Sequence, residues 1–158
     1  MDPVLAYHIV VAGVTFEAWE AALLDELPVA RLATIQPSGR PHLVPVCFAV
    51  VAGQVAIAVD EKPKTTTALA RLRNIARDPR VALLVDRYDA DWSRLAWLRI
   101  DGEAAVLERG EVRPDALAAL RARYAQYAAM DLESRPLILV VPAAKTSWRA
   151  QAPWARLR

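Results

Sequence analysis

Apolar residues recur at helical spacing early in the chain and at strand spacing beyond it. Phe16, Trp19, Leu23 and Leu27 fall on one face of a helix over about 15–27, with Thr15 placed as its N-cap. Pro28 ends it. Residues 29–35 and 42–51 are apolar, β-rich stretches around the turn Pro37-Ser38-Gly39-Arg40, which predicts a hairpin. Ala52-Gly53-Gln54 turns the chain into 55–59, so three strands form a meander. Pro45 within the second strand marks an edge, a bulge or a place where the ladder opens, because it has no N–H to donate.

After Asp60 the period changes. Leu69, Leu72 and Ala76 recur at helical spacing, which predicts an amphipathic helix over 65–77 stopped by Asp78-Pro79. Residues 81–85 read as a buried strand, and 95–108 as a long one bent or bulged at Gly102. Pro114 opens a third helix with Leu117, Leu120, Tyr124 and Tyr127 on one stripe, and 137–141 is the last strand. Short turns make the consecutive strands antiparallel. A small closed or partly closed barrel is the expected solution, since closure removes exposed edges. Residues 1–158 are expected to form a single domain: the helix at about 15–27, a barrel at about 29–143 and a C-terminal tail at 144–158.

Composition agrees. With 158 residues, 55% of them hydrophobic and 24% charged, the chain is long enough to bury a core without staples. A single cysteine, Cys47, excludes a disulfide framework and a multi-cysteine zinc site, and suits a reducing compartment. Two histidines leave little for a metal centre, and a net charge of +2 does not argue for nucleic acid. The apolar stretch 4–14 follows Asp2 and contains His8, so it is a poor signal peptide; no apolar run approaches the ~20 residues that cross a bilayer. A cytoplasmic protein with no metal, membrane or nucleic-acid partner is expected.

The catalytic vocabulary is sparse. There is no G-x-G-x-x-G, no phosphate-binding P-loop, no C-x-x-C, no H-E-x-x-H and no G-x-S-x-G. Ser38 and His42 read as a turn serine and a strand-end histidine, and Cys47 as a small hydrophobe within a strand. No catalytic side chain is assigned. What remains is local charge: from Glu61 to Arg80 there are six Lys or Arg and two Asp or Glu, a net +4. Lys62-Pro63-Lys64-Thr65-Thr66-Thr67 leads into the second helix. Its free N–H groups, threonine hydroxyls and two lysines make either a phosphate site or a solvated surface. A second cluster, Trp92, Trp97, Trp148 and Trp154 with Lys145 and Arg149, reads either as core and interface anchors or as a ligand platform.

Five stretches together carry a resemblance: Arg31-Leu32-Ala33-Thr34-Ile35, Ser38-Gly39-Arg40-Pro41-His42-Leu43-Val44-Pro45-Val46-Cys47-Phe48, Arg71-Leu72-Arg73-Asn74-Ile75, Asp78-Pro79-Arg80-Val81-Ala82-Leu83-Leu84-Val85 and Arg99-Ile100-Asp101-Gly102-Glu103-Ala104. In this order they resemble the pyridoxamine 5′-phosphate oxidase-like split-barrel flavoproteins. Within these, the chain is most similar to the actinobacterial branch of probable F420-dependent oxidoreductases. The resemblance implies a mainly β, α+β fold: a six-stranded antiparallel split barrel with peripheral helices, forming a homodimer with flavin or deazaflavin between subunits. It places the cofactor's phosphate end against 62–74, hence Lys62, Lys64, Thr65, Arg71 and Asn74. Many relatives carry Lys where Arg71 stands, so the assignment of cations to phosphates stays open. The ring is implied to pack near Pro45, Val46 and Cys47 and near Val59 and Asp60, with Trp97 and Trp148 contributed by the partner subunit. The implied activity is hydride transfer between coenzyme F420 and a small organic molecule. The alternatives are an FMN-dependent oxidase or reductase and a non-catalytic F420- or flavin-binding protein. The spread of cations from Lys62 to Arg77, extended by Lys145 and Arg149, suits the longer polyanionic tail of F420.

Overall fold

The computed structural model describes residues 10–11, 14–59, 66–111 and 113–150. Two short strands, β1 (Val10–Val11) and β2 (Val14–Thr15), pair antiparallel ahead of helix α1 (Ala18–Glu26). Thr15 is therefore a strand residue, and the helix starts from Glu17, whose backbone N–H donates to the Glu20 carboxylate at 2.7 Å. Strands β3 (Ala30–Ile35) and β4 (Pro41–Val46) form the expected hairpin, with Gly39 at φ +82° in its turn. Strands β5 (Ala49–Val51) and β6 (Gln54–Ala58) form a second one. Helix α2 (Thr66–Arg77), β7 (Arg80–Arg87), β8 (Ala96–Leu107), α3 (Pro114–Arg123) and β9 (Leu137–Arg149) follow, with single 3₁₀ turns at Trp92–Arg94 and Ala125–Ala129.

The main sheet has seven antiparallel strands in the order β4-β3-β7-β8-β9-β6-β5. This corrects the expectation of six strands in a barrel: the sheet is open, and the apolar run 42–51 is two strands rather than one. Its halves, β4 and β5, are the two outermost strands, and no ladder joins them among the described residues. Yet they are joined in sequence by Cys47 and Phe48 alone. Three peptide steps hold the Cα atoms of Val46 and Ala49 within about 11 Å, so the sheet curls until its edges face each other across a split. Pro45 lies beside that split on edge strand β4, where a missing N–H costs no ladder bond.

The split leaves the Phe48 backbone without a strand partner, and Tyr124 supplies one. Its hydroxyl accepts from the Phe48 N–H at 2.9 Å and lies 2.7 Å from the Phe48 carbonyl and 2.9 Å from that of Pro28. Orphaning such buried groups costs about 1–3 kcal/mol each, so this contact satisfies the backbone at the split where hydrogen-bonded strands do not. Arg123 reinforces it by donating to the Leu24 and Leu27 carbonyls, with its guanidinium 4.6 Å from the Phe48 ring centre. The stripe Leu117, Leu120, Tyr124 and Tyr127 is buried as its spacing requires.

Gly102 is the site of the bulge. The β8–β9 register shifts there, from Asp101 opposite Ala144 to Gly102 opposite Pro142. A further correction concerns the C-terminal tail: β9 runs on to Arg149, pairing residues 145–149 with 96–100 of β8. No helix among the described residues is long and apolar enough to cross a membrane.

Candidate cofactor site

Alternation along β4-β3-β7-β8-β9 separates two faces. Ala30, Leu32, Leu83, Val85, Leu98 and Ile100 point into the core under α1 and α2. The intervening residues line up across the outer face in register: Pro45, Arg31, Leu84, Arg99 and Thr146 in one row, and Asp86, Trp97 and Trp148 in the next. A third row is Leu43, Ala33, Ala82, Asp101 and Ala144. This face is largely apolar, with Leu43 64% and Trp148 41% exposed. Its charges are internally matched, Arg31 with Asp86 at 3.0 Å and Arg99 with Asp101 at 3.1 Å. Toward Gly102 it opens into a cavity of about 510 Å³, where Ala33, Pro41 and Ala82 stand beside Arg80, Asp101 and Glu103.

Three of the residues assigned to the ring thus share one surface. Trp97 and Trp148 stand directly opposite each other on neighbouring strands. Pro45 lies on the same face, three strands from Trp97, or about 14 Å at the usual strand spacing. Val46 points the other way and its side chain packs in the core, while Cys47 is half-buried at the split. Val59 follows β6, its N–H donating to the Pro136 carbonyl at 3.4 Å. Asp60, Lys62, Lys64 and Thr65 lie outside the described residues. Arg71 is half-buried on α2. Asn74, one turn further on, is 4% exposed and donates through Nδ2 to the Thr34 hydroxyl at 3.0 Å, so it anchors α2 on β3.

Lys145 and Arg149 do not continue the cation track, which corrects the expectation drawn from their position. The β9 bulge sends Lys145 and Ser147 inward, where Lys145 pairs with Glu20 and the Ser147 hydroxyl donates to the same carboxylate. Glu20 is 1% exposed. Burial pushes its carboxyl pKa up, but hydrogen bonds from Lys145, Ser147 and the Glu17 N–H outweigh this and hold it below the ordinary range. Arg149 lies over the Trp19 ring on the α1 side, at 5.0 Å. Neither the Glu20 clasp nor the Tyr124 contact was visible in the sequence, since each joins residues far apart in the chain.

An open antiparallel sheet of seven strands, whose two outermost strands follow each other in the chain, is consistent with a split-barrel fold. The chain belongs to the pyridoxamine 5′-phosphate oxidase family, whose model it matches over residues 17–149. No curated protein matches it. Among solved structures it is similar to a conserved hypothetical protein of Mycobacterium tuberculosis, with 25% identity, 87% of each chain covered and a TM-score of 0.68. It is also similar to an F420 reductase, with 25% identity over 79% of this chain and 94% of that one, at a TM-score of 0.55. The heme storage protein of Vibrio cholerae shares the fold at 17% identity and a TM-score of 0.62, with 82% and 90% of the two chains covered.

Proposed function

We propose that the protein is an F420-dependent oxidoreductase that works as a homodimer and passes a hydride between the deazaflavin and a small organic molecule. The observation that carries this reading is the outer sheet face, where Trp97 and Trp148 stand opposite each other on neighbouring strands, on the side that also carries Pro45 and Leu43. The likeness to an F420 reductase over 94% of that chain supports the choice of cofactor. When bound, F420 supplies the hydride chemistry, which needs no acid, base or nucleophile from the protein. The chain's part is to hold and orient. Trp97, Trp148 and Pro45 offer surface for a planar ring, and Lys62, Lys64, Thr65 and Arg71 offer charge and hydrogen bonds to the phosphodiester and the carboxylates of its tail.

Monomers do not ordinarily leave five strands of apolar face open to water, and a second copy packed on it forms a two-fold groove. Sedimentation velocity at tens of micromolar is therefore expected to give a dimer. A monomer that still binds cofactor would overturn this part of the reading.

The anion assignment is tested by three variants. Lys62→Ala, Lys64→Ala and Arg71→Ala are each expected to weaken F420 binding about ten- to a hundredfold, on the order of 1.5–3 kcal/mol, and to flatten its salt dependence. Parent-like affinity in all three at low and high salt would show these cations to be mere solvated surface.

A further inference from the structure

On the other side of β8–β9, between α1 and the turn at Trp92–Arg94, lies a cleft of about 360 Å³. Its walls include Trp19, Glu26, Arg87, Ser93, Arg94 and Arg149. Ala96 pairs with Arg149 one position before Trp97 pairs with Trp148, so the pleat turns Arg149 toward α1 and the tryptophans away from it.

The lining itself carries three arginines, Arg87, Arg94 and Arg149, against one carboxylate, Glu26. Glu26 is engaged by Arg87, and Asp89 by Arg94 at 3.2 Å. The Glu17 carboxylate accepts from the Trp19 indole N–H at 2.7 Å, and Asp91 accepts from the backbone and hydroxyl of Ser93 at 3.0 and 2.7 Å. Every carboxylate at the rim thus has a donor. Arg149 has no carboxylate within ion-pairing distance among the described residues; its guanidinium instead lies 5.0 Å from the Trp19 ring centre. The guanidinium N–H donors form a planar fork that matches a carboxylate's two oxygens. Leu23, Leu95 and Ala96 supply apolar wall beside it.

We propose that this cleft is a second ligand site, for a small carboxylate carried on a planar apolar body. Arg149 holds the carboxylate, Arg94 adds a second cation, and Trp19 with the apolar wall takes the body. Its volume falls within the range of small-molecule pockets. The proposal does not depend on the F420 reading, because the cleft opens on the opposite side of the sheet from Trp97 and Trp148.

The test is calorimetric titration of the full chain with 1-naphthoate, with the neutral 1-naphthalenemethanol and with inorganic phosphate. Naphthoate is expected to bind about tenfold or more tightly than either of the others, since only it satisfies both the fork and the wall. Arg149→Met is expected to weaken naphthoate about tenfold and Arg94→Gln by a smaller factor, with melting temperatures unchanged. If Arg149→Met lowers the melting temperature, Arg149→Lys is read instead, and a several-fold loss is expected because a point charge replaces the fork. The proposal is overturned by no naphthoate binding to the parent, by equal binding of the neutral alcohol, or by parent-like binding in the folded Arg149 variant.

Discussion

Gly102→Ala is expected to destabilise the protein by about 3 kcal/mol or more, lowering its melting temperature by roughly 10 °C for a domain of this size. A Cβ at this position would stand 2.3 Å from the Val141 carbonyl oxygen, 3.1 Å from its carbon and 3.2 Å from the Pro142 Cα. All three are backbone atoms of the paired strand, so no side-chain rotation relieves the clash. The β8–β9 register would have to give way, and with it the bulge that sets which face Trp148 and Lys145 occupy. Gly39→Ala provides the contrast. Gly39 has a positive φ of +82° but open space around it, so only the left-handed backbone penalty of about 1–2 kcal/mol applies. Equilibrium denaturation of the two variants checks the order, and a Gly102→Ala protein as stable as its parent would contradict the bulge geometry.

Lys145→Met is expected to cost about 3–5 kcal/mol at neutral pH, because it strands the buried Glu20 carboxylate without its cation. The pH dependence supplies a sharper check. In the parent, the Glu20 pKa is depressed, so its contribution to stability is full above the ordinary carboxylate range and is lost as pH falls through the folded-state value. Without Lys145, burial dominates and raises the folded-state pKa, so acid favours the folded variant. The stability gap between parent and variant should therefore narrow from pH 7 toward pH 4. A gap independent of pH would mean that Glu20 and Lys145 are not coupled. The double variant Glu20→Gln with Lys145→Met should recover part of the loss, because no charge is then left buried.

Most elements were legible because local chemistry and global packing agree in them. The 114–123 helix shows its Pro start and its apolar stripe, and Gly102 interrupts an otherwise regular strand. The two fold errors have physical causes. Residues 42–51 form one unbroken apolar run, and nothing in that run shows that it divides at Cys47-Phe48; the bond that satisfies the split comes from Tyr124, 76 positions away. The end of β9 was hidden because its inward residues are polar: Lys145 and Ser147 face Glu20, which lies more than 120 positions earlier. The same contact explains why Lys145 looked like part of an anion track. Of the candidate site, the sequence showed the aromatic residues but not that Trp97 and Trp148 are cross-strand partners. That follows from register, which the bulge sets.

Direct titration with both cofactors tests the central claim. The purified protein is expected to bind F420 at micromolar or tighter affinity, with binding that weakens as salt rises, and to bind FMN less tightly. Micromolar or tighter binding of FMN with no detectable binding of F420 would contradict the account and make the protein a flavin-dependent member of the family.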